Sequence, residues 1–420
     1  MSTGSHQENR ILPLKSSGVI ATLALALAFL LGPALSQPLQ AQTYTVLYTF
    51  TGAADGANPY SGVTLDDAGN LYGTTFVRGD FKDCGLFHGC GVVYKVDPSG
   101  KQTVLHTFVG NSDGRQPYFG NLFRDNTGNL FGTTVYGGMK GDIGIGVAFK
   151  VAKTGQETVL HRFNGGGEDG QQPVAGLILD SDGNFYGATV AGGSANDGTV
   201  YRMSKSGKVT VLHSFTGSDG IEPTSWLNQD AAGNFYGTAI TGGSTGGGTV
   251  FKITKAGKFT LVYTFKGAPD GGLPQGNLVI DKAGNIYGTT SEGGDAQSCP
   301  YFGCGVVFKI DTHGKEHVLH EFLWAEGCGP SGGVTSDAVG NLYGTAWSCG
   351  AQNSGSVFKV DKKGNFTKLY DFTGGTDGGF PFSSLSQDKA GYLYGTTNLG
   401  GLANGCDYAS GCGVVFKLTP

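Results

Sequence analysis

Eight cysteines, eight histidines and three tryptophans in 420 residues are the side chains with the most chemistry to offer. Six cysteines fall in close pairs: Cys84 and Cys90 in "CGLFHGC", Cys299 and Cys304 in "CPYFGC", Cys406 and Cys412 in "CDYASGC". Cys328 and Cys349 stand apart. These spacings are too wide for a Cys-x-x-Cys zinc ligand pair, and no paired histidines lie beside them. They suit disulfides in an oxidising compartment. His106, His161, His213 and His320 share one place in "VLHTF", "VLHRF", "VLHSF" and "VLHEF", where Tyr48, Tyr263 and Tyr370 stand in other copies. A slot repeated along the chain does not converge on one metal, so these are expected to be structural. His313 and His317 read as surface residues. A hydrolase or lyase needs convergent carboxylates, or a base beside a stabilised anion. Extra acids on the loop face include Glu168, Glu222, Glu292, Asp295, Glu326 and Asp407, and no pair of them stands out. Gly-x-Ser-x-Gly, His-Glu-x-x-His and P-loop motifs are all absent.

These residues must be positioned by a repeat. "GNLYGTT" at Gly69 returns as "GNLFGTT" at Gly128, "GNFYGAT" at Gly183, "GNFYGTA" at Gly233, "GNIYGTT" at Gly284, "GNLYGTA" at Gly340 and "GYLYGTT" at Gly391. The period is about 50–60 residues, the scale of propeller repeats. One period holds four short runs rich in β-branched and aromatic residues, bounded by Gly or Asp. From Gly176 onward these are A "GLILD", B "NFYGATV", C "GTVYRM" and D "KVTVLHSF". Four strands repeated seven times predict an all-β fold, a seven-bladed β-propeller. The expected mature chain opens on a D-type run, "YTVLYTF" from Tyr44, and finishes with a C-type run, "GVVFKL". The N-terminal strand is therefore expected to complete the last blade and close the ring. An aliphatic slot in strand A (Val63, Leu122, Leu177, Leu227, Leu278, Val334, Leu385) and an aromatic slot in strand B (Tyr72, Phe131, Tyr186, Tyr236, Tyr287, Tyr343, Tyr394) are expected to pack between blades.

Antiparallel order puts the A–B and C–D turns on one face and the B–C and D–A connections on the other. The turn face is uniform. It repeats Asp66, Asp125, Asp180, Asp230, Asp281, Asp337 and Asp388, expected to bond turn amides rather than calcium. A strand C cation repeats too (Lys95, Lys150, Arg202, Lys252, Lys309, Lys359, Lys417) and is expected to pair with those aspartates across strand B. The other face varies, and its D–A connections carry "DG..P", read as turn chemistry. Three cysteine pairs each fall within one B–C loop. Cys328 and Cys349 lie on loops of one blade and one face, so four disulfides are expected. Blade 6 departs most from the repeat. "FLWAEGCGPSGG" carries Trp324, with Glu326 in place of the usual Asp, and "TAWSCGAQ" carries Trp347. Trp226 opens strand A of blade 4. Trp226, Trp324, Trp347 and Glu326 form the expected binding set, with indoles stacking on sugar rings.

The pattern "LYGTT…GG…GVVFKI…G…TVLYTF.G..DG..P" over Thr43 to Pro420 resembles the bacterial GloVer tandem-repeat, or "choice-of-anchor", extracellular repeat family. The resemblance implies an exported, propeller-shaped repeat protein and brings no activity to carry over. The repeated tryptophan docking motif of quinone-dependent dehydrogenase propellers is absent.

Residues 1–41 read as a signal peptide and short leader. Arg10 and Lys15 precede the apolar run "GVIATLALALAFLL", and cleavage is expected near Ser36 or Ala41; an uncleaved anchor is the rival reading. Residues 43–420 read as one propeller. No membrane span is expected after cleavage. A net charge of −5 argues against nucleic acid as partner. No cofactor or metal is expected. The sequence thus predicts an exported, non-catalytic binding or scaffold protein with a glycan or protein ligand on the B–C/D–A face, periplasmic, extracellular or on the cell surface. The alternatives are a polysaccharide-active hydrolase or lyase using loop carboxylates, and a structural repeat protein without ligand.

Overall fold

Six of the seven letters of the recurring heptapeptide have a physical task that can be seen in the copy Gly284–Thr290. The computed structural model describes residues 42–79, 84, 89–139, 144–167, 169–294, 297–299, 302–401, 406 and 410–420. The leader, Glu168, Asp295 and Asp407 lie outside them. Gly284 closes the A–B turn at φ +90°, a conformation that favours glycine. Asn285 donates its backbone N–H to Asp281 Oδ1 at 2.9 Å and its amide to Oδ2 at 2.8 Å. Ile286 is buried. The Tyr287 hydroxyl donates to Asp281 Oδ2 at 3.1 Å. Gly288 leaves room for the Phe308 ring of strand C, whose Cζ would lie 2.6 Å from an added Cβ. Thr290 Oγ1 donates to Glu292 O at 2.8 Å and accepts from the Val306 amide at 3.3 Å, tying the start of the B–C loop to strand C. Asp281 is held below the usual carboxylate range: burial pushes it up, but the hydrogen bonds from Asn285 and Tyr287 outweigh that.

Repetition of this unit makes seven antiparallel sheets in the order A-B-C-D. Blade 3 shows the pattern: Ile178–Leu179, Phe185–Thr189, Thr199–Met203 and Val209–Ser214. The seventh sheet is completed by Tyr44–Thr49, which pairs with Val414–Leu418, so the two ends of the propeller close the ring as expected. Strand A is shorter than the sequence suggested. It is two residues in most blades, because the chain there turns toward the axis and meets neighbouring blades. Blade 4 has a fifth strand, Ile221–Pro223, pairing with a longer strand B, Phe235–Thr241.

Blades pack through aromatic pairs. The Phe ending each strand D meets the strand C aromatic of the next blade: Phe50–Tyr94, Phe108–Phe149, Phe163–Tyr201, Phe215–Phe251, Phe265–Phe308, Phe322–Phe358 and Phe372–Phe416. Centroids are 4.9–5.5 Å apart, edge to face, a geometry favoured by the ring quadrupole.

The histidines and tyrosines of strand D have one task in every blade. A bulge beside them in each C–D ladder re-aims the side chain. It then meets the acid of the following D–A connection. His213 Nε2 lies 2.8 Å from Asp219, Tyr263 donates to Asp270 at 2.6 Å, and His320 Nε2 lies 2.9 Å from Glu326. "DG..P" therefore does more than turn the chain. The residue before each proline has positive φ (Asn58, Gln116, Gln172, Glu222, Leu273, Gly329, Phe380), and its amide donates to a B–C loop carbonyl of the preceding blade. The expected pairing of strand C cations with turn aspartates is corrected. Among the described residues only Lys252 comes within 4 Å of its turn carboxylate, Asp230, at 3.9 Å. The strand B ring lies between, and Lys252, Lys309, Lys359 and Lys417 sit 5.2–5.9 Å above the centroids of Tyr236, Tyr287, Tyr343 and Tyr394.

Gly288→Ala drives a methyl group into the Phe308 ring. The expected cost is about 1–3 kcal/mol, read as a lower urea midpoint with unchanged slope. Glu157 and Glu316 open strand D in blades 2 and 5. Burial pushes both carboxyls up to about 7. One oxygen of each is buried without a partner. A raised folded-state pKa gives stability that is full below the ordinary value near 4.5 and is lost as pH rises through 7. The Glu157→Gln/Glu316→Gln double variant should show a smaller drop in melting temperature from pH 6 to pH 8 than the parent; an equal drop rules this origin out. Gln102 already fills the equivalent place in blade 1, so the substitution has a native precedent.

Candidate binding site at the propeller axis

The residue just before the aliphatic slot of strand A points toward the axis. In the seven blades it is Gly62, Asn121, Gly176, Trp226, Asn277, Gly333 and Ser384. Small residues here let the inner chains touch: a Cβ on Gly62 would lie 2.6 Å from Ser384 O, and one on Gly176 2.5 Å from Asn121 O. The larger ones form a floor. Ser384 Oγ accepts from the Asn121 amide at 3.3 Å and the Asn277 amide at 3.1 Å, and Trp226 fills the remaining space.

Two axial spaces meet at this floor. Toward the A–B turns a funnel of about 480 Å³ is lined by Thr64, Ile178, Asn228, Val279, Thr335 and Ser386, among others. Toward the B–C and D–A loops lies a cavity of about 30 Å³, walled by Phe119, Thr224, Trp226, Gln275, Ser331 and Phe382 above the floor. Thr224 Oγ1, Trp226 Nε1 and Ser331 Oγ are buried there without a hydrogen-bond partner. An unpaired buried polar group costs about 1–3 kcal/mol. Gln275 is held by its amide, which donates to Ser291 Oγ at 2.9 Å.

One side of this mouth is aromatic. Tyr60 contacts Tyr118 at 4.8 Å and Phe382 at 5.5 Å, Phe76 contacts Tyr118 at 5.0 Å, and Trp347 stacks on Phe382 at 5.1 Å. Burial pushes the Tyr118 hydroxyl up to about 12. The opposite side carries Thr224, Gln275 and Ser331 from consecutive blades. Among the described residues, no ionisable side chain lines the cavity.

The sequence-predicted residues divide. Trp226 lies at the floor rather than on an exposed loop, and Trp347 joins the aromatic wall. Trp324 is 49% exposed on the loop after strand D and touches none of these rings. Glu326 accepts from the Leu323 amide at 3.0 Å besides meeting His320, so its carboxylate takes the place of the aspartate of other blades. Glu222 is exposed. Burial pushes the Glu292 carboxyl up, and neither residue lines the cavity. The four disulfides pair as the loops require: Cys84–Cys90, Cys299–Cys304, Cys328–Cys349 and Cys406–Cys412. The second and third pack together, with Cys299 and Cys328 sulfurs 3.3 Å apart. Cys299, Cys328 and Cys349 lie within 4.8 Å of one another, each engaged in a disulfide. Cys349 fixes the loop that carries Trp347.

Sequence reasoning missed the axial set. The signal was the residue three before the aliphatic slot: Tyr60, Phe119, Val174, Thr224, Gln275, Ser331 and Phe382. Aligned across the copies, this slot changes from aromatic to polar around the ring.

A family model described as the Gloeobacter/Verrucomicrobia repeat matches residues 35–166, 83–302 and 297–420. No curated protein matches the chain. Among solved structures, the extracellular domain of a one-component system protein from B. thetaiotaomicron is similar at TM-score 0.54 and 9% identity, over 89% of this chain and 39% of that one. A gluconolactonase from Xanthomonas campestris is similar at TM-score 0.47 and 14% identity, over 92% of each chain. PorZ, a surface component of the type IX secretion system of Porphyromonas gingivalis, is similar at TM-score 0.49 and 13% identity, over 86% of this chain and 46% of that one.

Proposed function

The chain belongs to the Gloeobacter/Verrucomicrobia repeat family, and from that premise we propose that it is an exported, non-catalytic binding protein whose ligand is a glycan held at the axial mouth of the loop face. The observation that carries this reading is the arrangement of that mouth. Thr224, Trp226 and Ser331, whose Oγ1, Nε1 and Oγ atoms are buried without a partner, line one small cavity beside a wall of packed rings. A sugar has the matching character: C–H surface for the rings and hydroxyls for the polar atoms. The site offers no carboxylate pair to cleave a glycosidic bond, which favours binding over turnover. Export is supported by the four disulfides, which persist in oxidising compartments. Among the described residues no helix is long and apolar enough to cross a membrane.

The test is a broad glycan array followed by titration with tryptophan emission as readout. Saturable binding is expected, weakened at least tenfold by Trp347→Ala and little changed by Trp324→Ala. Equal binding by parent and Trp347→Ala would remove the mouth as the site.

A further inference from the structure

Resting on the reading above that the mouth binds a glycan, we infer that it recognises the neutral terminal residue of the chain end-on, with one exocyclic hydroxyl or hydroxymethyl group seated in the axial cavity. Size is the first argument. A cavity of about 30 Å³ has room for one or two water molecules, so it takes a single small group and not a sugar ring. The floor of Asn121, Ser384, Asn277 and Trp226 closes it below. The inserted group therefore ends there, and the ring that bears it stays above, beside Phe382 and Phe119.

Chemistry is the second argument. The Trp226 indole N–H only donates, while the Thr224 and Ser331 hydroxyls both donate and accept. A ligand hydroxyl, itself donor and acceptor, matches the bonding character of all three. A carboxylate or phosphate would bring its charge to a place with no cation among the lining residues, and an unpaired buried charge is far costlier than an unpaired hydroxyl. The site thus selects neutral sugars over uronic acids and phosphorylated ones.

Topology is the third argument. The cavity lies on the ring axis, and the D–A connections of the blades surround it. A residue held edge-down has one way out, along the axis. A chain terminus needs one exit, whereas an internal residue needs two.

The experiment titrates the full propeller with three probes built from the sugar that the array identifies: a linear neutral oligosaccharide, a cyclic oligosaccharide of the same sugar, which has no termini, and the linear form oxidised to the uronate at its terminal residue. The linear neutral probe should bind at least tenfold tighter than the other two. In ¹H–¹⁵N spectra it should shift the indole N–H assigned to Trp226 by its loss in Trp226→Phe. Ser331→Val fills the cavity and should weaken binding at least tenfold. Thr224→Val keeps the shape and removes one hydroxyl, with an expected loss of about three- to tenfold, the range of one neutral hydrogen bond; it serves if Ser331→Val does not fold. Equal affinity for linear and cyclic probes, or an undisturbed Trp226 signal, overturns end-on recognition while leaving glycan binding in place. Absence of any glycan ligand overturns both.

Discussion

The architecture depends on a contact between a missing side chain and a ring. In every blade the second glycine of the heptapeptide lies under the strand C aromatic, and that aromatic meets the phenylalanine ending strand D of the neighbouring blade. The glycine thus sets the depth at which the ring sits, and the ring sets the spacing between blades. Seven such contacts in series must agree, because the strand Tyr44–Thr49 has to arrive beside Val414–Leu418. A closed ring tolerates little drift in the angle between blades. This is a physical reason for near-identical copies: variation in the buried lattice would accumulate around the circle, whereas variation in the loops does not.

What could be read from the sequence follows the same division. Blade number, strand order, ring closure and the disulfide pairs rest on features that recur within one period or lie close in the chain, and these were legible. Two relations were less so. The strand D histidines looked structural from their repetition, yet their partner, the D–A acid, became visible only when the bulge turned the ring toward it, as in His213 and Asp219. The cation of strand C was assigned to the turn aspartate on charge alone. In blade 5 the intervening Tyr287 ring, which holds Asp281 by its own hydroxyl, takes Lys309 on its face instead. The axial mouth was the least legible. Thr224, Gln275, Ser331 and Phe382 are single ordinary residues spread over more than 150 positions. Only ring closure brings them together.

Symmetry also clarifies what a departure from the pattern means. Glu326 replaces an aspartate and looked like a functional exception. Its extra methylene is absorbed in the loop, and the carboxylate performs the aspartate's task with His320. Trp226 is an exception of another kind. It stands where other blades place Gly, Asn or Ser, has no lattice task to perform, and leaves its indole N–H without a partner. A substitution that restores a repeated interaction is compensation. One that ends in an unsatisfied group at the centre of the ring is not compensated within the fold.

The loops around that centre are built to stay still. Each D–A connection passes through a residue of positive φ before its proline, and six of the seven are not glycine. Such backbone is costly for side-chain-bearing residues. It persists because the amide of that residue is tied to the preceding blade and its proline packs on the glycine that opens strand C there. The strain lies two or three residues before the side chains of the axial slot. Rigidity at that point matters for weak polar ligands. A site whose hydroxyls and rings are already in place loses little ordering entropy on binding, and a neutral sugar offers too little interaction energy to offset a large loss. Blades 5 and 6 go further, with two disulfides in contact beneath the loop that carries Trp347. The covalent bracing holds the loop that carries Trp347, which ties the irregular features of blade 6 to the axial mouth.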